Sequence, residues 1–288
     1  MNIEIQPIRN PDRQSPRQIN FVETAKDIVT ELKTGKIERV ERLKSGSGEN
    51  FFIEFEDGGK AILKIIDLNA EKYEKFPDHT GPGGLDPKKM ERAAYLVSRI
   101  LKFGSVPETV LRKKLSFGDN IDPEEIDDLT AGRDEEDQVV IQKFVPGKTA
   151  AELEGGEFSM PDELLLEMSI FDYIIANADR NTGNYIFQKN KIHTIDNELS
   201  FGEEFYGEII DALTARASRT EISDKLRSIC ERFAKNRDQM IDKIRGKLGQ
   251  LMPERYMNAC ISRIEKIVDL VSRHKKLVAK DISGLTFE

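Results

Sequence analysis

The chain has no tryptophan, only two cysteines and three histidines among its 288 residues, and no long apolar run. Each scarcity excludes something. Cys230 and Cys260 both fall in amphipathic helical patterns, so they read as thiols of a reducing compartment and not as a disulfide framework or thiolate metal site. His79, His193 and His274 lack the spacing of metal ligands, which argues against a zinc centre. No apolar run approaches the roughly 20 residues that a membrane-crossing helix needs. The first residues, MNIEIQPIRNPDRQSP, lack the basic-then-apolar layout of a signal peptide. The expected location is therefore cytoplasmic, or outside the cell as an effector exported without a conventional signal. A basic excess is also missing. Lys and Arg number 44 against 52 Asp and Glu, for a net charge of −8, which argues against a nucleic-acid surface.

The acid that is present is concentrated. Asp119 to Asp137 holds ten carboxylates and one arginine and reads as a solvated loop, or as a patch for a basic partner. Residues 1–18 are polar and read as an N-terminal arm. Phe21–Leu32 has helical apolar spacing, and Lys36–Lys44 reads as a strand. FFIEFEDGGKAILKII is a hairpin pattern: two β-rich runs about an Asp-Gly-Gly turn. Residues 68–87 read as loop, Met90–Lys102 as helix, Pro107–Arg112 as extended, and Gln138–Phe144 as a buried strand. The break at Pro146-Gly147 follows. Asp162–Ala178 is the strongest helix. Ile186–Phe187 and Ile192–Ile195 are strands about a Lys-Asn-Lys turn, and helices are expected over 204–216, 221–234, 236–248 and 254–277. Strands with one helix first, then helices with one hairpin, make an α+β protein of two lobes, 19–145 and 146–288.

What is most informative is the stretch IIANADRNTGNYIFQKNKIHTIDNELSF, residues 174–201. It sets Asp179-Arg180 at the end of an apolar helix, Asn184 five residues past Asp179, and Asp196 after a hairpin. A helix-borne Asp with an Asn and a second Asp on a hairpin suits the holding of nucleotide-bound cations. Mg2+ takes few protein oxygens and keeps waters and phosphate oxygens for the rest. Taken alone, the same residues read as a helix stop, a turn and a polar strand end.

The rest of the chain supplies the other parts of a phosphate site. Ser45-Gly46-Ser47-Gly48 lies between predicted strands, where small residues let backbone N–H groups approach phosphates; a plain hairpin turn is the other reading. It is no P-loop, since no Gly-Lys-Ser/Thr ending or helix follows. Lys64 stands inside an apolar run and must reach water or an anion. Glu91, at the start of the next helix, is placed to hold that lysine, though Glu is common in any first turn. Gln142, Lys143, Phe144 and Val145 occupy the position of an interlobe hinge that would read adenine, with Ile62 and Ile195 as walls. The order is decisive: glycine turn, strand lysine, helix glutamate, hinge, Asp, Asn at +5, strand Asp is the order a kinase fold requires.

On SGSGENFFIEFEDGGKAILK, ERAAYLVSRILKFGSVPETVLR, IQKFVPG, and ADRNTGNYIF followed by IDNELSFG, the chain resembles the phosphatidylinositol 3-/4-kinase superfamily. It is most similar there to the type II phosphatidylinositol 4-kinases and their bacterial kinase-like relatives, over roughly residues 40–203. The resemblance implies a two-lobed protein-kinase-like fold, with a small β-rich N-lobe and a mainly helical C-lobe, using ATP and Mg2+ or Mn2+. It implies that Ser45–Gly48 cover the phosphates, that Lys64 binds them with support from Glu91, and that Gln142–Val145 hold adenine. It implies that Asp179 orients or deprotonates the acceptor hydroxyl, Arg180 braces the loop, and Asn184 and Asp196 bind metal. Two departures stand out: Asn181 where many lipid kinases of the superfamily have His, and Glu198 where glycine is frequent.

The acceptor is read from the surface. A lipid kinase should offer a basic or apolar membrane-facing patch, and this acidic chain shows no such anchor near the site. A protein Ser or Thr is the expected acceptor, with a phosphoinositide headgroup as the alternative. Two further alternatives keep the fold: transfer of AMP from a reversed nucleotide, and a non-enzymatic ATP-binding regulator.

Overall fold

The computed structural model describes residues 21–43, 49–67, 70–79, 83–130, 137–153, 161–204 and 220–277. The N-terminal arm, the Ser45–Gly48 turn and all but the first residue of the helix expected over 204–216 lie outside them.

Alternation builds the first half. Phe51, Ile53 and Phe55 of β2 (Glu49–Phe55) and Ala61 and Leu63 of β3 (Lys60–Ile65) are buried on one face of a sheet. This is the period of two that a half-buried strand requires. The turn between them needs a left-handed residue, supplied by Gly58 at φ +83°. With β1 (Ile37–Arg42), β4 (Thr109–Arg112) and β5 (Val139–Lys143) they form an antiparallel sheet in the order β1-β2-β3-β5-β4. Helix α1 (Phe21–Thr34) covers its core face with Leu32, Ile28 and Val29. Each large apolar side chain buried here contributes about 1.5–3 kcal/mol.

Helix α2 (Pro87–Leu101) starts one turn before the expected Met90. The Asp86 carboxylate accepts the Lys88 N–H at 3.0 Å, and Pro87 fills the first helical position. Met90, Ala94, Val97 and Leu101 are buried, but in the core of the second half and not in that of the sheet. The acidic segment corrects the sequence reading. Pro123–Thr130 forms helix α3, because Ile121, Ile126 and Leu129 are drawn onto the sheet core while Glu124, Glu125 and Asp127 stay exposed. The described residues of the span read as loop, 68–87, also hold regular structure. Glu71–Lys75 and Pro77–His79 are 3-10 turns, and Tyr73 and Leu85 are buried.

In the second half, short α4 (Ala150–Leu153) precedes α5 (Asp162–Ile175), which ends before the expected Ala178 because Ala176 turns left-handed at φ +47°. Strands β6 (Lys148–Thr149), β7 (Tyr185–Gln188) and β8 (Lys191–Thr194) form a small sheet, the hairpin closing on Lys189 and Asn190 at φ +47° and +60°. Helices α6 (Asp224–Lys235), α7 (Arg237–Leu248) and α8 (Glu254–Arg273) complete the core around α5. The last helix stops short of residue 277, because Lys276–Leu277 (β10) pairs with Thr220–Glu221 (β9). Cys230 and Cys260 are free and buried. Among the described residues no helix is long and apolar enough to cross a membrane.

Candidate active site

Lys64 follows Leu63 in β3, so the alternation that buries Leu63 in the sheet core turns Lys64 to the opposite face. There its Nζ donates to Glu91 Oε1 and lies 3.4 Å from Asp196 Oδ1. Strand, helix α2 and the segment after β8 thus meet at one ammonium. Burial pulls the Lys64 pKa down, but the carboxylates of Glu91 and Asp196 outweigh it and hold the lysine above its usual range. It stays charged. Glu91 is fully buried in the second turn of α2, not an exposed first-turn acid, and its Oε2 has no hydrogen-bond partner among the described residues.

Across from this pair, the loop carrying Asp179 is built around Arg180. The guanidinium is buried and donates to Asp172 through Nε (3.0 Å) and Nη2 (3.0 Å), to the Asn184 and Ile195 carbonyls through Nη1 (2.6 and 2.7 Å), and to Asn197 Oδ1 (2.6 Å). One side chain therefore fixes the helix end, the loop and the approach to Asp196. Burial raises the Asp172 pKa although Arg180 opposes the rise. Asp179 itself is exposed. Its N–H donates to Asn177 Oδ1 (2.9 Å), and its carbonyl accepts from Asn184 Nδ2 (2.8 Å). The Asn184 amide nitrogen is thereby engaged, which turns its Oδ1 away from Asp179, and that oxygen has no donor among the described residues. Asn181 caps the loop by accepting the Gly183 N–H at 2.9 Å.

Three non-glycine residues around this loop have left-handed backbones: Ala176 at φ +47°, Asp196 at +56° and Phe201 at +73°. Such residues persist where neighbours hold them, and they cluster at functional sites.

Several hydrogen-bonding groups of Gln142–Val145, read from the sequence as a hinge, are engaged within the sheet. Gln142 is buried and donates to Thr109 Oγ1 at 3.0 Å, while the N–H groups of Lys143 and Phe144 donate to the carbonyls of Glu108 (2.8 Å) and Lys60 (3.0 Å). Those three are occupied by the sheet itself. Val145 carries the first N–H there with no partner among the described residues. Ile62 is half-buried on the Lys64 face, opposite Phe52, whose ring meets Phe144 edge-on at 5.3 Å. Ile195 is half-buried and donates its N–H to the Asn184 carbonyl at 3.0 Å. Ser45–Gly48 lie outside the described residues.

Sequence reasoning missed several of these groups. Asp172 is a carboxylate inside the most apolar helix, a signal that a buried partner must exist. Asn177, inside the span expected to be helix, and Asn197, read as a polar strand end, tie the loop together. Tyr73, which donates to Glu198 Oε2 at 3.0 Å, gave no local signal at all.

A family model described as Golgi casein kinase, C-terminal, Fam20 matches residues 17–131, the stretch holding Lys64 and Glu91. No curated protein matches the chain in sequence. Among solved structures it is similar to a Golgi casein kinase with Mn/ADP bound, at 15% identity and TM-score 0.55, over 87% of this chain and 76% of that one. It is also similar to hydra Fam20 with sugar, at 17% identity and TM-score 0.58, over 88% and 89%. The chain is thus similar to the Fam20 model over residues 17–131 and has a kinase-like fold, a β-sheet N-terminal region joined to a helical C-terminal part.

Proposed function

We propose that the protein is a kinase that transfers the γ-phosphate of ATP to a hydroxyl, with Mg2+ or Mn2+, and that the hydroxyl is a protein Ser or Thr. The observation that carries this is the meeting of Lys64, Glu91 and Asp196 at one buried point, reached from three separate elements in the order a kinase fold requires. The similar Golgi casein kinase was solved with Mn/ADP, and casein is a protein acceptor.

In this reading Lys64 binds phosphate oxygens and Glu91 holds it in place. Asn184 and Asp196 fit a divalent cation, since the Asn184 amide nitrogen is engaged by Asp179 while its oxygen is open, and the Asp196 side chain remains 35% exposed. A bound cation would neutralise charge on the phosphates. Asp179, exposed on a loop braced by Arg180, aligns the acceptor hydroxyl and takes its proton. Val145 offers its N–H to adenine, between Ile62, Phe52 and Ile195. Ser45–Gly48 would cover the phosphates. We take Val145 as the junction of two lobes and place the protein in a reducing compartment, on its two free buried cysteines.

The likeness to phosphatidylinositol kinases rests on the motifs alone, and the acidic surface gives a phosphoinositide headgroup no evident counterpart. The test is incubation with γ-labelled ATP and Mg2+ or Mn2+ beside a basic protein, the chain itself and phosphatidylinositol vesicles. Label in protein is expected; label in lipid alone would replace the protein acceptor with a headgroup.

A further inference from the structure

Between β3 and α2 the chain does more than connect. Over residues 70–79 it turns through successive i→i−3 hydrogen bonds, Tyr73 to Ala70, Phe76 to Tyr73 and His79 to Phe76, and the Ala70 N–H donates to the Asp67 carbonyl. It grips the segment that follows Asp196 at two points. Tyr73, 2% exposed, donates its hydroxyl to Glu198 Oε2 at 3.0 Å, and the Asp78 carboxylate accepts the Glu203 N–H at 3.1 Å. Phe76 and His79 of the same segment face Ala178 and Leu199 across a small hollow. Arg263 of α8 also donates to the carbonyls of Gly202 (3.1 Å) and Glu203 (3.0 Å). The stretch 198–203 is therefore held at several points.

Asp196 needs this. Its backbone is left-handed, a state a non-glycine residue keeps only when flanking groups hold it. Asn197 is held by Arg180, and the next residue, Glu198, by Tyr73. Glu198 is buried, so its carboxylate needs a donor. No sequence motif announces Tyr73, which is 125 residues away from its partner.

We propose that Tyr73 is a positioning residue for Asp196, and that residues 70–79 act as a strap through which the sheet side sets the tightness of metal–nucleotide binding. This rests on the reading that Asp196 takes the metal. Removing the hydroxyl takes this hydrogen bond from Glu198 and loosens the hold on the Asp196 backbone. The carboxylate of Asp196 then meets a cation less well, while Lys64, held by Glu91, keeps its hold on phosphate.

The test is calorimetric titration of the full chain with Mn2+·ADP and with metal-free ADP. For Tyr73→Phe, the expected result is Mn2+·ADP binding weakened about tenfold, as for other groups that orient metal ligands, with metal-free ADP within about twofold of wild type. Wild-type affinity for Mn2+·ADP would overturn the proposal, and so would equal weakening of both ligands, which marks a general packing defect. In a Glu198→Ala background, Tyr73→Phe should add almost nothing. A full further loss there would assign the effect to the ring and not to its bond, and would also overturn it. Asp196→Ala separates the two levels: it should abolish the advantage of Mn2+·ADP over ADP. If that advantage survives, the metal-site reading fails and the strap falls with it. If it is lost while Tyr73→Phe behaves as wild type, the strap alone fails.

Discussion

On the sheet side of the cleft, Lys64 is held by charge, with Glu91 in contact and Asp196 at 3.4 Å. On the hairpin side, Asp179 and Asn184 are held mostly by main-chain and amide hydrogen bonds gathered around Arg180. The sheet side is an ion pair bridging two cores, because Lys64 belongs to the strand that lines the first and α2 packs into the second. The hairpin side is a scaffold in which the charged groups at the tip stay exposed and the buried ones are saturated. Buried pairs lose much when one partner goes and little when both go; scaffolds lose geometry when their hub goes.

The largest expected effect follows from breaking the hub. Arg180→Ala strips Asp172 of its counter-ion and releases the Asn184 and Ile195 carbonyls. We expect about 3–5 kcal/mol of lost stability in denaturant melts, with activity lost as well. A melt within about 1 kcal/mol of wild type would show that the hub does not hold the loop.

The second sharpens the contrast. Lys64→Met should destabilise by about 3 kcal/mol by leaving Glu91 buried and unpaired. Lys64→Met with Glu91→Leu should recover most of that stability and none of the phosphotransfer. Failure of the double variant to recover stability would make packing, and not pairing, the reason for the loss.

The smallest effect lies outside both regions and serves as a control. Burial, and then the Asp57 carboxylate, push Glu31 up to about 7. Its folded pKa exceeds the unfolded value, so the folded state binds the proton more tightly. The stabilisation is complete below the unfolded pKa and is lost as pH rises through about 7. After discounting for its partial exposure we expect about 1 kcal/mol or less, read as a melting temperature that falls between about pH 5 and 7. Glu31→Gln should flatten that slope. An unchanged slope would assign it to other groups.

Much of this fold could be read from the sequence because local signals and tertiary demands agree. The β2–β3 hairpin turns about Asp57-Gly58-Gly59 as its pattern requires, and α5 begins where expected, at Asp162. The sequence also gave the order of Lys64, Glu91, Asp179, Asn184 and Asp196. The failures have physical reasons. Helix α3 was hidden by the high charge of its exposed face, and only Ile126 and Leu129 marked its inner one. At Gln142, Lys143 and Phe144, read from the sequence as a hinge, partners that no local pattern reveals take up the Gln142 side-chain amide and the Lys143 and Phe144 N–H groups. Tyr73–Glu198 and Arg263 with Gly202 are long-range contacts between residues ordinary in their own segments.

The central claim is that this cleft transfers the γ-phosphate through Asp196 and its neighbours. The most direct test is incubation of the protein and its Asp196→Ala variant with ATP labelled at either the γ- or the α-phosphate. The account predicts γ-label in the acceptor, lost by at least about a hundredfold in the variant, and no α-label in either. Transfer of α-label, or full γ-transfer by Asp196→Ala, would contradict it.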